Sequence, residues 1–201
     1  MKRYCLYLFI LIGISCSAEL KAQKNGTVYK GNDPAVRYTG RTLVSPDGSV
    51  AFDWVGTYLE TRFTGGRLSV KVSETGTSYY NVFVDGKLHK VVKVCGTDTL
   101  IHLVSGIDKR IHSLKIQKRS EGEFGKTTVH QFVLSGSGRL AEEPAVRTRH
   151  IEFIGNSLTC GYGTDGKHRD EPFLVETENC NLTFASMVAR YYDADYTLIA
   201  H

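Results

Sequence analysis

Residues 79–94, Tyr-Tyr-Asn-Val-Phe-Val-Asp-Gly-Lys-Leu-His-Lys-Val-Val-Lys-Val, limit the fold more than any other stretch. Two runs rich in β-branched and aromatic residues flank Asp85-Gly86. That pair suits a type I′ turn, which needs positive φ at both central positions. A hairpin is predicted there, and the same pattern recurs on either side. Residues 52–63 are rich in strand formers, and residues 67–72 alternate apolar and polar, the period of a half-buried strand. Residues 99–104, 111–118 and 129–134 add three more candidate strands. Gly65-Gly66, Gly76, Gly96 and Gly106 punctuate the series. Short strands with a turn about every ten residues predict a β-sandwich over residues 24–137.

Gly136-Ser-Gly-Arg-Leu-Ala-Glu-Glu-Pro144 ends that pattern, so residues 138–148 read as a linker. Beyond it, residues 149–154 form a short apolar strand. Phe184, Met187, Val188 and Tyr191 recur at helical spacing, with Asn181 or Thr183 available to cap the helix start. Residues 195–200 read as the next strand. Strand, loop, helix, strand is the opening unit of a parallel α/β sheet. Residues 149–201 are too few to cover such a sheet on both faces. Strand 196–200 is therefore expected to have an unpaired edge.

The strand and helix are joined by Ile151-Glu-Phe-Ile-Gly-Asn-Ser-Leu-Thr-Cys-Gly-Tyr-Gly163. The apolar run breaks at Gly155-Asn156-Ser157. A serine there projects its hydroxyl from the carboxyl edge of the sheet, where open α/β sheets place ligands. The logic is that of the Gly-x-Ser-x-Gly elbow without its spelling. Loops also use Gly, Asn and Ser for plain turns.

The whole string resembles the first block of the SGNH/GDSL hydrolases. Its Ser-Leu-Thr-Cys-Gly-Tyr-Gly continuation is most similar to the two-domain carbohydrate acetyl esterases of carbohydrate esterase family two. Glu176-Thr-Glu-Asn179, Thr183-Phe-Ala185, Val188-Ala-Arg190 and residues 195–200 resemble the segment that follows in those esterases. The resemblance implies a jelly-roll sandwich followed by the start of a flavodoxin-like, three-layer SGNH hydrolase domain. It implies that Ser157 is the nucleophile and its backbone N–H one oxyanion donor. It further implies removal of acetyl groups from plant cell-wall polysaccharide, as in acetylxylan esterases, with no cofactor. Asn156 stands where many relatives carry Asp, which touches only the hydrogen bonding behind the serine.

By the same resemblance, the blocks carrying further oxyanion donors and the base histidine belong beyond His201. The chain is thus expected to be an amino-terminal fragment, inactive alone. A serine hydroxyl is a poor nucleophile without a positioned base, and each missing oxyanion donor costs about 10²–10³ in rate. The alternative is a non-catalytic sugar-binding or interaction module built on the sandwich.

Other residues have quieter expectations. His89, His102, His112 and His130 fall on sandwich strands as surface or core residues. His150 lies behind the site, His201 is terminal, and His168 shares the loop 164–170 with Asp165 and Asp170, within possible reach of Ser157. Glu176 and Glu178 read as acids at the start of the helix, favoured by its dipole, or as substrate contacts. Tyr162 either stacks on a sugar ring or packs under its loop. No His or Cys pair has metal-ligand spacing, so no metal site is expected.

Residues 1–22 read as an export signal, with Lys2 and Arg3 ahead of an apolar stretch over residues 4–16. The mature chain is then secreted or periplasmic, or lipid-tethered through Cys16, and has no membrane span. Cys95, Cys160 and Cys180 remain; Cys160 and Cys180 are either bridged or two buried thiols. Formal net charge is +4 with no basic run, which argues against a nucleic-acid partner.

Overall fold

The computed structural model describes residues 26–142 and 144–201; the expected export signal over residues 1–22 lies outside the described residues. In chain order the elements are β1 (Thr27–Lys30), β2 (Val36–Thr39), β3 (Leu43–Val44), β4 (Val50–Phe52), β5 (Tyr58–Val84), β6 (Lys87–Lys118), β7 (Thr127–Ser135), β8 (His150–Gly155), α1 (Ser157–Cys160), α2 (Phe184–Tyr191) and β9 (Asp195–Ala200). Short 3-10 turns occupy Gly122–Phe124, Val175–Thr177 and Cys180–Leu182.

The predicted hairpin forms. Asp85 and Gly86 take φ of 50° and 74°, and residues 78–84 pair antiparallel with 87–95. The other sequence breaks behave differently from expectation. β5 and β6 run on through their glycines and bend, so each long strand serves two layers. One layer orders β2, residues 58–64, 111–118, 78–84 and 87–95. The other orders residues 99–104, 68–74 and β7, with β1 and β4 beyond it. The result is a mostly antiparallel, curled β-sandwich. Leu59, Phe63, Leu68, Val82, Leu114, Phe132 and Leu134 are buried between the layers. Each such side chain contributes roughly 1.5–3 kcal/mol by leaving water.

The single strand read over residues 52–63 is in fact two. β4 ends at Phe52, and β5 starts at Tyr58 after a turn in which Gly56 has φ of 73°. Gly56 N–H donates to the Lys118 carbonyl at 2.9 Å. A Cβ on Gly56 would fall 2.6 Å from Leu198 Cδ1, so this turn is where the sandwich backbone meets β9.

β8 and β9 pair in parallel, with Ile151 opposite Tyr196 and Phe153 opposite Leu198, and α2 lies between them in the chain. This is one βαβ unit. The larger flavodoxin-like domain is not present in the described residues. The helical spacing of Phe184, Met187, Val188 and Tyr191 does mark a helix, but those residues are exposed. Ala185, Ser186 and Ala189 are the buried ones. Small side chains let α2 approach the sheet closely, which turns its bulky stripe outward.

The expected unpaired edge is present, since β9 pairs with β8 alone among the described strands, but it is covered. β9 is the buried strand, whereas β8 is mostly exposed, with Ile154 at 82%. β9 is covered because the sandwich packs on it. Val55 and Tyr58 join Cys160, Cys180, Ala185, Ala189, Tyr196, Leu198 and Ala200 in one apolar cluster. An ionic network borders the cluster. Asp195 accepts from Arg37 Nη1 at 2.7 Å, Tyr58 Oη at 2.7 Å and Arg147 Nη1 at 2.8 Å, and both arginines also pair with Glu60. These donors hold the Asp195 carboxyl low against the opposing effect of burial. Lys115 Nζ sits 3.7 Å over the Tyr58 ring, and burial lowers it to about 8. Among the described residues no helix is long and apolar enough to cross a membrane.

Candidate active site

The turn at the carboxyl end of β8 is shaped by two close approaches. A Cβ on Gly155 would lie 2.0 Å from Thr159 Oγ1. A Cβ on Gly161, where φ is 89°, would lie 2.6 Å from the Asn179 carbonyl. Only glycine fits either position. Between them, Asn156 caps α1 through its side-chain oxygen, which accepts from Leu158 N–H at 3.1 Å. Ser157 is thereby the first residue of α1, half-buried at the end of the strand. Its carbonyl accepts from Gly161 and Tyr162 N–H at 2.9 and 3.1 Å.

Neither the Ser157 hydroxyl nor its N–H is engaged by another described residue. The described histidines are bonded elsewhere or not at all. His102 pairs with Ser69, His130 with Ser73, His150 with Thr197, and His112 with both Asp85 and Asp108. The His168 side chain has no hydrogen-bond partner, and the Ser157 hydroxyl has no imidazole partner among the described residues.

Tyr162 stacks on Phe173, with ring centroids 3.9 Å apart and planes 15° apart, and Phe173 meets Phe124 of the sandwich. One face of Tyr162 is therefore packed under its loop, while the residue stays 40% exposed. Burial, followed by Glu121, pushes its phenol up.

The loop over residues 161–180 is sewn to the sandwich by Arg119, which the sequence reading missed. Arg119 Nε donates to the Glu178 carbonyl at 2.7 Å, and Nη2 donates to the Glu176 carbonyl at 3.1 Å and to the Asp165 carboxylate. Asn179 Nδ2 also donates to Asp165, at 3.1 Å, and Asn81 Nδ2 donates to Asn179 at 3.0 Å. Asp165 is thus a tether of the loop. Glu176 accepts from Tyr79 Oη at 3.2 Å. Glu178 is no solvated acid at a helix start: it is fully buried, well before α2 begins. Burial and the nearby Glu121 carboxylate raise Glu178 to about 8.

Cys160 and Cys180 are both free and buried, and Cys95 is free and exposed. Burial and the neighbouring carboxylates push the Cys160 thiol up; burial pushes Cys180 up to about 12. High thiol pKa values make both inert as nucleophiles. No local spacing flags Cys160 as a ligand, yet the fold brings it beside Glu121 and Glu178, with one atom of each within 4.8 Å of the others.

The sequence model of the carbohydrate esterase 2 N-terminal family matches residues 38–144, just over half of the chain. The chain is 32% identical over 169 residues to the cellulase/esterase CelE of Acetivibrio thermocellus, covering 84% of this chain and 21% of that protein. It is 27% identical over 169 residues to an acetylxylan esterase / glucomannan deacetylase of Cellvibrio japonicus, covering 84% of this chain and 47% of that one. The fold matches a family two carbohydrate esterase from Clostridium thermocellum, solved with cellohexaose. There the TM-score is 0.78 at 33% identity, over 82% of this chain and 50% of the other. The chain thus spans less than half the length of the curated relatives it matches and about half of the solved structure.

Proposed function

The chain belongs to the carbohydrate esterase 2 N-terminal family, and from that premise we propose that it is the amino-terminal part of an exported serine esterase acting on acetylated polysaccharide. The observation that carries the reading is the placement of Ser157. It opens a helix directly after a parallel strand, held there by two glycines that admit no side chain. In this reading the Ser157 hydroxyl attacks the acetyl carbonyl carbon, and the carbonyl oxygen takes the negative charge. The Ser157 N–H, free of other partners, donates to that oxygen. Collapse of the adduct expels the sugar hydroxyl and leaves acetyl-Ser157, and water then releases acetate. No cofactor takes part. The substrate is plant cell-wall polysaccharide such as acetylated xylan, the class named for one of the relatives.

The base that takes the serine proton comes from a segment of the longer protein, in an SGNH hydrolase domain that residues 149–201 begin. The Tyr162–Phe173 stack supplies an aromatic wall beside the serine, on which a sugar ring can lie. The test is acetate release from acetylated xylan. A protein extended through the following coding sequence is expected to turn over and to lose that turnover on Ser157→Ala. The 201-residue chain alone is expected to show none. Full activity in the extended Ser157→Ala protein rejects the assignment.

A further inference from the structure

Beneath the α1 turn lies a group of side chains that the esterase chemistry does not use. Glu121 follows β6 on the sandwich, Cys160 closes α1, and Glu178 ends the loop that follows. They are distant in sequence, so no ligand spacing announces them. One oxygen from each carboxylate and the Cys160 sulfur all lie within 4.8 Å of one another. Glu121 is 2% exposed and Glu178 0%. Glu121 Oε2 and Glu178 Oε1 are both buried without a hydrogen-bond partner.

Two buried carboxylates side by side are costly while both are ionised, a cost that a proton or a cation between them relieves. The neighbouring cations are already committed. Lys118 Nζ donates to Ser78 Oγ at 2.8 Å and to Ser120 Oγ and the Glu121 carbonyl at 3.4 Å. Arg119 serves the Glu178 and Glu176 carbonyls and Asp165. Neither of them bonds to a carboxylate oxygen of Glu121 or Glu178. His201 Nδ1 stands at the rim, 3.7 Å from Glu121 Oε2.

We infer that Glu121, Cys160 and Glu178 form a site for a divalent cation of the zinc class, clamping the sandwich to the turn that carries Ser157. The donor set selects the metal. Calcium and magnesium want six or more oxygens, and a sulfur ligand does not suit them. Zinc takes cysteine, carboxylate and imidazole ligands together, at about 2.3 Å to sulfur and 2.0–2.2 Å to oxygen. Those bond lengths put neighbouring ligands of a tetrahedron roughly 3.3–3.7 Å apart. The three atoms need only small movements to reach that geometry. The fourth position is completed by His201, whose Nδ1 lies 3.7 Å from Glu121 Oε2, or by a water. Binding releases protons: the Cys160 S–H bond breaks as a sulfur–metal bond forms, the Glu178 carboxyl gives up its O–H proton as an oxygen–metal bond forms, and both protons leave to solvent.

The test uses the whole chain with Cys5, Cys16 and Cys95 each replaced by Ser, so that Cys160 and Cys180 are the remaining thiols. Cobalt(II) alone is titrated as the probe and then displaced with zinc. The expected result is one equivalent bound, a near-ultraviolet sulfur-to-cobalt charge-transfer band that zinc bleaches, and a higher Tm with metal. Cys160→Ser and Glu178→Gln are each expected to abolish the band while the far-ultraviolet dichroism stays native. Absence of the band in the starting protein overturns the site, whether or not either variant folds. A band that survives Cys160→Ser also overturns it, because the ligand is then Cys180. Zinc binding that survives Glu178→Gln undiminished overturns it as well.

Discussion

Replacing Asp195 by Ala removes the carboxylate that anchors β9 to the sandwich. Asp195 accepts four hydrogen bonds: 2.7 and 3.3 Å from Arg37, 2.7 Å from Tyr58 and 2.8 Å from Arg147. Its side chain is 5% exposed, and that of Arg37 is 11%. After the substitution, Arg37 is left with Glu60 alone, Arg147 with Glu60 and the exposed Asp193, and the Tyr58 hydroxyl loses the acceptor it had in Asp195. Breaking a buried ion pair by removing one partner costs about 3–5 kcal/mol. Arg147 is 31% exposed and keeps Glu60, which moves the expectation to the lower end, about 3 kcal/mol. For a chain of this size, that lowers Tm by about 6–12 °C. Urea unfolding followed by the fluorescence of Trp54, the single tryptophan, reads the change directly, because Trp54 sits in the turn that meets β9. A loss under about 1 kcal/mol with an unchanged m-value would refute the view that this network couples the two parts.

Four further outcomes follow from the same geometry. Gly56→Ala adds left-handed strain and a Cβ 2.6 Å from Leu198, so it should destabilise by about 3 kcal/mol, and its loss combined with that of Leu198→Ala should be less than additive in a double-mutant cycle read by urea unfolding. Asp195 has a folded pKa below its unfolded value, so its contribution is complete above about pH 4 and fades as pH falls through the folded value; in Asp195→Asn, the acid limb of the stability profile should flatten. Burial lowers Lys118 to about 8, so its cost is present at neutral pH and disappears as pH rises from about 8 past its unfolded value near 10.4; Lys118→Met should reduce the rise in stability between pH 8 and 10, leaving the part that Lys115 contributes. Gly155→Ala drives a Cβ into Thr159 and displaces Ser157, which in the extended protein should lower kcat by about 100-fold, with Thr159→Ala as the rescuing second change.

Turn chemistry was readable because it is local. Asp85-Gly86 takes the conformation that its two residue types prefer, whatever surrounds it. The strand and the Gly-Asn-Ser turn after it were readable for the same reason, whereas the one-turn helix that Ser157 opens was read as loop. Glycines were ambiguous between an end and a bend. Gly66, Gly96 and Gly106 all have positive φ, yet β5 and β6 continue through them. Periodicity located α2 but gave the wrong face, since a helix can bury a row of small residues as readily as a row of large ones. Arg37, Glu60, Arg119 and Glu121 left no trace in the sequence, and Glu178 was noticed only as an acid near a helix start, without its burial. A buried charge is recognised by its partner, and these partners lie on strands and loops far away in the chain.

The packing of β9 against the sandwich has a consequence for how the parallel sheet can grow. A strand added beyond β9 would have to displace Tyr58, Val55 and the Arg37–Asp195 pair, all buried against it. A strand added beyond β8 meets no such barrier, because His150, Glu152, Ile154 and Gly155 are exposed. The same asymmetry accounts for the apolar surface left open in this region. Ile154, Leu158, Phe184, Met187 and Tyr191 are all substantially exposed, Tyr191 at 83%. An apolar group of this kind is characteristic of a surface that another element covers. The sandwich therefore does more than precede the parallel sheet in the chain. By covering one side of β9 it leaves β8 as the side on which the proposed longer domain would add strands, and it holds the Ser157 turn at the boundary between the covered side and the open one.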